Sequence, residues 1–255
     1  MSAMSNASFA ARALALLDLT ELSDTADAAG LEALCAKAVS TPGPVAAICI
    51  WPRFVAQALT ILGTSPVRIA TVVNFPQGEA TGAEVLAETQ AALADGADEI
   101  DLVLPWRAYL AGDEAGAEAM VRAVRQACEG KTLKVILETG EYPDLDAIRG
   151  ASELAIAAGA DFIKTSTGKT AHSASPRAVR TMLEVIAKAD RPVGLKPSGG
   201  IRTLADAAAY LALADEILGP DWAKPETFRF GASGLHQVLA NVIAGGVAGQ
   251  ASGPY

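Results

Sequence analysis

The chain is short of positive charge, aromatic residues, histidine and paired cysteine, and each shortage excludes something. Its 255 residues carry 20 Lys and Arg against 29 Asp and Glu, a net charge of −9. No basic run appears, so nucleic acid is not an expected partner: neutralising a phosphate backbone needs clustered Lys and Arg. No apolar stretch reaches the roughly 18–20 uncharged residues of a membrane span, so no membrane partner is expected. Met1–Ala7 shows no basic segment followed by an apolar one, so no signal peptide is expected and the expected location is cytoplasmic. The cysteines, Cys35, Cys49 and Cys128, are odd in number, far apart and without C-x-x-C spacing, which suits reduced, buried thiols. His172 and His236 are too few and too separate for a metal site, so no metal is expected. Neither G-x-G-x-x-G nor a Walker pattern occurs, which argues against dinucleotide or nucleoside triphosphate cofactors. Aromatics at 5% are too sparse for an aromatic all-β core.

What is present is apolar and periodic. Hydrophobic residues make up 51% of the chain, and short apolar runs alternate with longer amphipathic segments. The runs lie at 45–51, 68–74, 99–105, 133–138, 162–167, 193–198, 216–219 (weak) and 228–233. Continuous Val, Ile and Leu suit parallel strands buried on both faces. Helical patterns fill the gaps: a capping box at Thr81 and Glu84, stretches at 114–129 and 144–158 each closed by glycine, Ser175-Pro176 as cap and first turn, 204–214 after Thr203, and 234–245. Two further helices, near 8–17 and 25–39, precede the first run, and Asp18-Leu19-Thr20 reads as a polar break between helix and loop. The expected fold is a (β/α)8 TIM barrel, a single domain over 1–255 with extra N-terminal helices and a mobile Gly-rich tail at 245–255. The final two runs stand only eight residues apart, so a seven-stranded or open sheet is an alternative.

Ionisable groups inside apolar runs need a reason, because barrel interiors are filled by apolar layers. Of eight lysines, Lys37, Lys131, Lys188 and Lys224 fall in helices or loops, and Lys134 opens its run, where it can snorkel. Lys164 and Lys196 differ: each lies toward the C-terminal end of an apolar run, on the adjacent fifth and sixth runs. Neighbouring parallel strands are about 4.8 Å apart, so two inward amines would share one cavity and one would release its proton more easily. A neutral lysine attacks carbonyls to give a Schiff base. The alternative is simple pairing with Asp101 or Glu138, the acids of the third and fourth runs. Asp101 lies well inside IDLVLP and is the better cavity carboxylate, able to move protons directly or through water.

Three Gly-containing loops follow late strands: Ser166-Thr167-Gly168-Lys169, Ser198-Gly199-Gly200-Ile201-Arg202 and Gly231-Ala232-Ser233-Gly234. Backbone N–H groups in such loops, and a helix N-terminus behind the last, suit an anion, and late barrel strands are the usual phosphate site. Cys49 reads as a small core residue, and Trp51, Trp106 and Trp222 as core or rim packing.

The chain closely resembles the 2-deoxyribose-5-phosphate aldolase family. The motifs that carry the resemblance run in order along nearly the whole chain: LDLTEL (17–22), CIWPRF (49–54), TVVNFPQG (71–78), ADEIDLVLPWRAYLAGD (97–113), KVILETGE (134–141), GADFIKTSTGK (159–169), LKPSGGIRT (195–203) and FRFGASGL (228–235). The resemblance implies the barrel and a class I aldolase, cleaving a deoxyribose phosphate to acetaldehyde and glyceraldehyde 3-phosphate. Lys164 would carry the Schiff base, Lys196 would ease its deprotonation, Asp101 would serve a water-assisted proton relay, and Asp18 matches a polar active-site position. Gly168, Lys169, Gly199, Gly200, Arg202, Gly231 and Ser233 match phosphate-binding positions. At Gly234 the family commonly carries serine, so here the backbone N–H would serve without a hydroxyl. Tyr255 matches a C-terminal tyrosine that in some members swings into the site to assist proton transfer. The expected partners are a phosphosugar and an aldehyde, and since such barrels often dimerise, a homodimer stays open. The rival readings are another Schiff-base barrel lyase acting on a keto acid, and a catalytically silent phosphosugar-binding barrel.

Overall fold

The computed structural model describes residues 5–247 and 249. Among them, eight strands form one sheet: β1 (Leu17–Glu21), β2 (Ala47–Ile50), β3 (Arg68–Val73), β4 (Glu99–Val103), β5 (Thr132–Ile136), β6 (Phe162–Lys164), β7 (Gly194–Lys196) and β8 (Phe230–Ala232). Every ladder is parallel, and each strand neighbours the next in sequence. β8 pairs with β1, and single parallel bridges, Leu195 with Phe228 and Ser198 with Gly231, close it against β7. The result is the expected (β/α)8 barrel.

Helices follow the strands on the outside. α1 (Asn6–Ala15) precedes β1 and packs on the last helix; α2 (Ala28–Ala38) follows β1, and α3 (Val55–Leu62) follows β2. α4 (Gly82–Ala94) starts at the expected capping box, with Thr81 and Glu84 bonding each other's backbone. α5 (Trp106–Leu110) and α6 (Glu114–Ala127) follow β4, and α7 (Leu145–Ala157) follows β5. α8 (Pro176–Ile186) begins at Ser175, whose side chain accepts from the Ala178 N–H. α9 (Leu204–Leu218) and α10 (Leu235–Ile243) complete the ring.

Two expectations about strands need correction, and they cancel in the count. The run at 216–219 is the last turn of α9 with its Gly219 cap, not a strand. Its Glu216 faces outward and pairs with Arg180 on α8 at 2.8 Å, as a helix surface residue would. The missing strand is β1, read from sequence as a polar break. Leu17 and Leu19 point to the helices, while Asp18 and Thr20 point into the barrel, so its buried inner face is polar. An alternation that puts the polar face inside inverts the usual strand signal. In consequence α1 alone is an extra N-terminal helix, α2 is the first crossover, and the two key lysines lie on β6 and β7.

Gly194 on β7 shows how the floor of the barrel is filled. A Cβ there would overlap the ring of Phe162, its register partner on β6. The buried Phe162 ring takes that space and lies 5.8 Å from the Arg229 guanidinium.

Candidate active site

Alternation along the parallel strands aims one set of side chains at the barrel axis. β1 contributes Asp18, β4 Glu99 and Asp101, β5 Lys134, β6 Lys164 and β7 Lys196; Arg229 enters just before β8. All seven are buried. Lys164 and Lys196 are direct register partners. Both ammonium groups donate to the same atom, Asp101 Oδ2, at 2.8 and 2.7 Å. The two amines thus converge inside the barrel, and the pairing with Asp101 is present as well.

The cluster extends inward from that atom. Lys196 Nζ also lies 2.6 Å from Asp18 Oδ2. Lys134 Nζ contacts Asp101 Oδ1 at 2.9 Å, Asp18 Oδ2 at 3.2 Å and Glu99 Oε2 at 2.5 Å. Arg229 donates from Nη1 to Asp18 Oδ1 at 2.6 Å and from Nη2 to Glu99 Oε1 at 2.8 Å. Asp18 Oδ2 meets its two lysines as ion pairs without aligned hydrogen bonds. Lys134, expected to snorkel, is instead fully buried. It is the third residue of its strand, too deep for its stem to reach solvent, and three carboxylates replace water around its amine.

Three carboxylates thus face four cations. Arg229 cannot shed its proton at ordinary pH. Burial disfavours charge on Lys134 and Lys196, but their two or three carboxylate neighbours outweigh it and hold both amines above the ordinary lysine value. Lys164 has a single carboxylate contact, on an oxygen it shares with Lys196. Burial dominates there and Lys196 adds repulsion, so its amine is held below the ordinary lysine value despite Asp101. Asp101 is itself pushed up by burial, but Lys134, Lys164 and Lys196 together hold it well below the carboxylate range. Losing the Lys164 proton leaves three charges of each sign in the interior, the arrangement that removes the excess charge.

Glu138, expected on a strand, lies two residues beyond β5 in a left-handed conformation (φ 63°). It accepts from the Thr167 hydroxyl at 2.5 Å and from the Thr167 N–H at 3.2 Å, and burial raises its pKa. Its position fits an anchor for the β6 loop. Cys49 Sγ lies 3.9 Å from Asp101 Oδ2, and burial raises its thiol pKa.

The Gly-containing loops follow β6, β7 and β8, and they converge. Gly168, Gly199 and Gly200 all have positive φ, at 76°, 80° and 78°. A Cβ on Gly199 would stand 2.6 Å from Ser173 Cβ and 3.5 Å from Gly168 Cα, so side chains there would force the first two loops apart. The Gly199 N–H donates to the Gly231 carbonyl at 3.4 Å, and a Cβ on Gly231 would collide with Ser198 Oγ and stand 3.1 Å from Lys196 Cε. Ser233 follows β8, and Gly234 is the N-cap of α10, with no side-chain cap. Lys169 Nζ reaches across to Asp24 at 3.5 Å. Ser166 Oγ, Ser198 Oγ and Arg202 Nε are buried with no hydrogen-bond partner among the described residues, which leaves polar atoms for a ligand to satisfy. Sequence reasoning did not single out the Ser166 and Ser198 side chains, although their i+2 spacing from the two lysines on one strand face was a usable signal. Tyr255 lies outside the described residues.

A closed parallel barrel with two amines converging on one buried carboxylate, beneath loops suited to an anion, defines an enzyme of the Schiff-base barrel class. The family model described as DeoC/LacD family aldolase matches residues 12–241, and the chain belongs to that family. It is 54% identical over 248 residues, 96% of each chain, to a deoxyribose-phosphate aldolase of Agrobacterium fabrum. Among solved structures it is similar to a candidate deoxyribose-phosphate aldolase of Toxoplasma gondii ME49, with TM-score 0.87, 28% identity, and coverage of 94% of this chain and 97% of that one. It is also similar to the tetrameric deoxyribose phosphate aldolase of Aeropyrum pernix, with TM-score 0.76, 25% identity, and coverage of 93% and 92%.

Proposed function

We propose that this chain is a class I aldolase that reversibly cleaves 2-deoxy-D-ribose 5-phosphate to acetaldehyde and D-glyceraldehyde 3-phosphate. The observation that carries the reading is the asymmetry of the lysine pair on Asp101 Oδ2: one amine is held charged by extra carboxylates, the other is pushed toward neutrality. The name of the Agrobacterium relative supports the substrate.

Neutral Lys164 attacks C1 of the open-chain aldehyde, and the resulting carbinolamine loses water to give an iminium. Asp101, acting through a water, accepts the proton of the C3 hydroxyl. The C2–C3 bond breaks, its electron pair moves to the iminium as an enamine, and C3 leaves as the aldehyde of glyceraldehyde 3-phosphate. Protonation of the enamine carbon and hydrolysis release acetaldehyde and restore the amine. Asp101 is a weak base while ammonium groups surround it, which suits a relay that passes a proton on rather than storing it. Lys196 stays charged throughout and disfavours a proton on its neighbour. The backbone N–H groups around Gly168, Gly199, Gly200, Gly231, Ser233 and Gly234, with Lys169 and Arg202, would receive the 5-phosphate. A homodimer and a cytoplasmic location belong to the same reading; three free, buried cysteines suit a reducing compartment.

Borohydride added during turnover of 2-deoxyribose 5-phosphate should leave a stable adduct that peptide mapping places on Lys164. Mapping to Lys196 would reverse the two roles.

A further inference from the structure

The reaction as proposed uses Lys164, Lys196 and Asp101, and leaves unexplained why the barrel buries four more charged residues, Asp18, Glu99, Lys134 and Arg229, beneath them. Arg229 and Glu99 sit toward the N-terminal ends of the strands. Their far edges line a cavity of about 460 Å3 with Arg68, Lys131, Phe162 and Glu226, at the end of the barrel opposite the Gly-containing loops. A substrate held by those loops and by Lys164 does not reach them.

We propose that Arg229 and Glu99 are positioning residues for the reaction at Lys164: they fix the net charge of the buried cluster from which that amine must be free. The inference rests on the aldolase reading above.

Their contacts make them a frame for the cluster. The Arg229 guanidinium holds Asp18 at 2.6 Å and spans both Glu99 oxygens, at 2.8 and 3.3 Å, while its Nε is turned to the Pro225 carbonyl. Glu99 in turn holds Lys134 at 2.5 Å. Asp18 and Lys134 are the only links from this pair to the upper part of the cluster among the described residues: Lys134 touches Asp101, which holds Lys164, and Asp18 touches Lys196, which shares Asp101 Oδ2 with Lys164. The charged groups facing Lys164 are Asp101 from β4 and Lys196 from β7, with the Cys49 thiol from β2 and Glu138 from beyond β5. Among the described residues neither of these last two bonds the Lys164 amine: Glu138 is taken up by the Thr167 hydroxyl and N–H, and Cys49 lies against Asp101. The charge that offsets the interior is therefore set below, by one permanent cation and one carboxylate. Removing the cation leaves carboxylates in excess and draws a proton to Lys164. Removing the carboxylate leaves cations in excess and drives the proton away.

The two substitutions must then act in opposite directions, which a merely structural role does not predict. The probe is acetaldehyde, which has no ionisable group, trapped on the full chain with cyanoborohydride. The rate of adduct formation at Lys164 is followed against pH, with thermal melts on the same samples. Against wild type, Arg229→Met should move the rising limb to higher pH by about one unit, the order expected for one buried charge acting through intervening ion pairs at an effective dielectric near 20. Below the limb that amounts to a roughly tenfold slower rate. Glu99→Gln should move the limb to lower pH. Arg229→Lys keeps the charge and should lie with the wild type. Coincident limbs, or both neutralising variants moving the same way, would overturn the proposal while leaving the aldolase reading intact. If Arg229→Met does not fold, the sign of the Glu99→Gln shift alone supports or overturns it. A wild type that gives no adduct at Lys164 removes the aldolase reading and this inference with it.

Discussion

Replacing Lys134 with methionine would test the charge frame through stability. Methionine matches the stem in length and is apolar, so the packing changes little and the charge is lost. The substitution removes three ion pairs, to Asp18, Glu99 and Asp101, at a place with no exposure to water. Removing one partner from a buried ion pair costs about 3–5 kcal/mol, because the remaining charge is left uncompensated. Arg229, Lys196 and Lys164 still face the three carboxylates, which argues for the lower end of that range. Against a total stability of roughly 5–15 kcal/mol the loss is large. At about 2–4 °C per kcal/mol for a chain of this size, the melting temperature should fall by roughly 6–12 °C near pH 7. The pH dependence has a definite sign. Asp18 and Asp101 are held below the usual carboxylate value, so they stabilise the wild type above that value, and the contribution is lost as pH falls through their folded values. In the variant those carboxylates lose a cation and are less depressed, so the variant loses less on acidification and the gap between the two proteins narrows. Denaturant and thermal melts from neutral to acid pH measure this. A variant as stable as wild type at pH 7, or a gap that widens in acid, would refute the charge accounting.

Gly194→Ala should lower stability by about 1–3 kcal/mol, the usual cost of overpacking, because its Cβ overlaps the buried Phe162 ring. A denaturation midpoint equal to wild type would mean the ring has room to move. Deleting Tyr255 should slow exchange of the acetaldehyde methyl protons with solvent while leaving borohydride trapping at Lys164 unchanged. Equal exchange rates by NMR would take the tyrosine out of the reaction.

Local sequence pattern and tertiary structure part at β1, Lys134 and the 216–219 run. The capping boxes at Thr81 and Thr203 and the glycine stops placed most helices, because caps and breakers act within one turn. Lys164 and Lys196 stood out because charge inside an apolar run is unusual in any barrel. β1 did not stand out, because its inward residues are the site's own polar groups. Lys134 was misread because snorkelling depends on depth, and depth follows from where the strand sits in the barrel.

The sequence by itself determined the alternation of strands and helices, the two anomalous lysines with an acid near them, and the loops open to an anion. These depend on local periodicity and residue type. Only the tertiary structure decided which of the two amines is held below the ordinary lysine value and which above it. That outcome depends on how many carboxylates reach each amine, and those carboxylates come from β1 and β4, brought together from distant parts of the chain by closure of the barrel. Electrostatic interaction acts across space, and in a buried cluster each group's charge is set by the sum of its neighbours, which only the closed barrel defines.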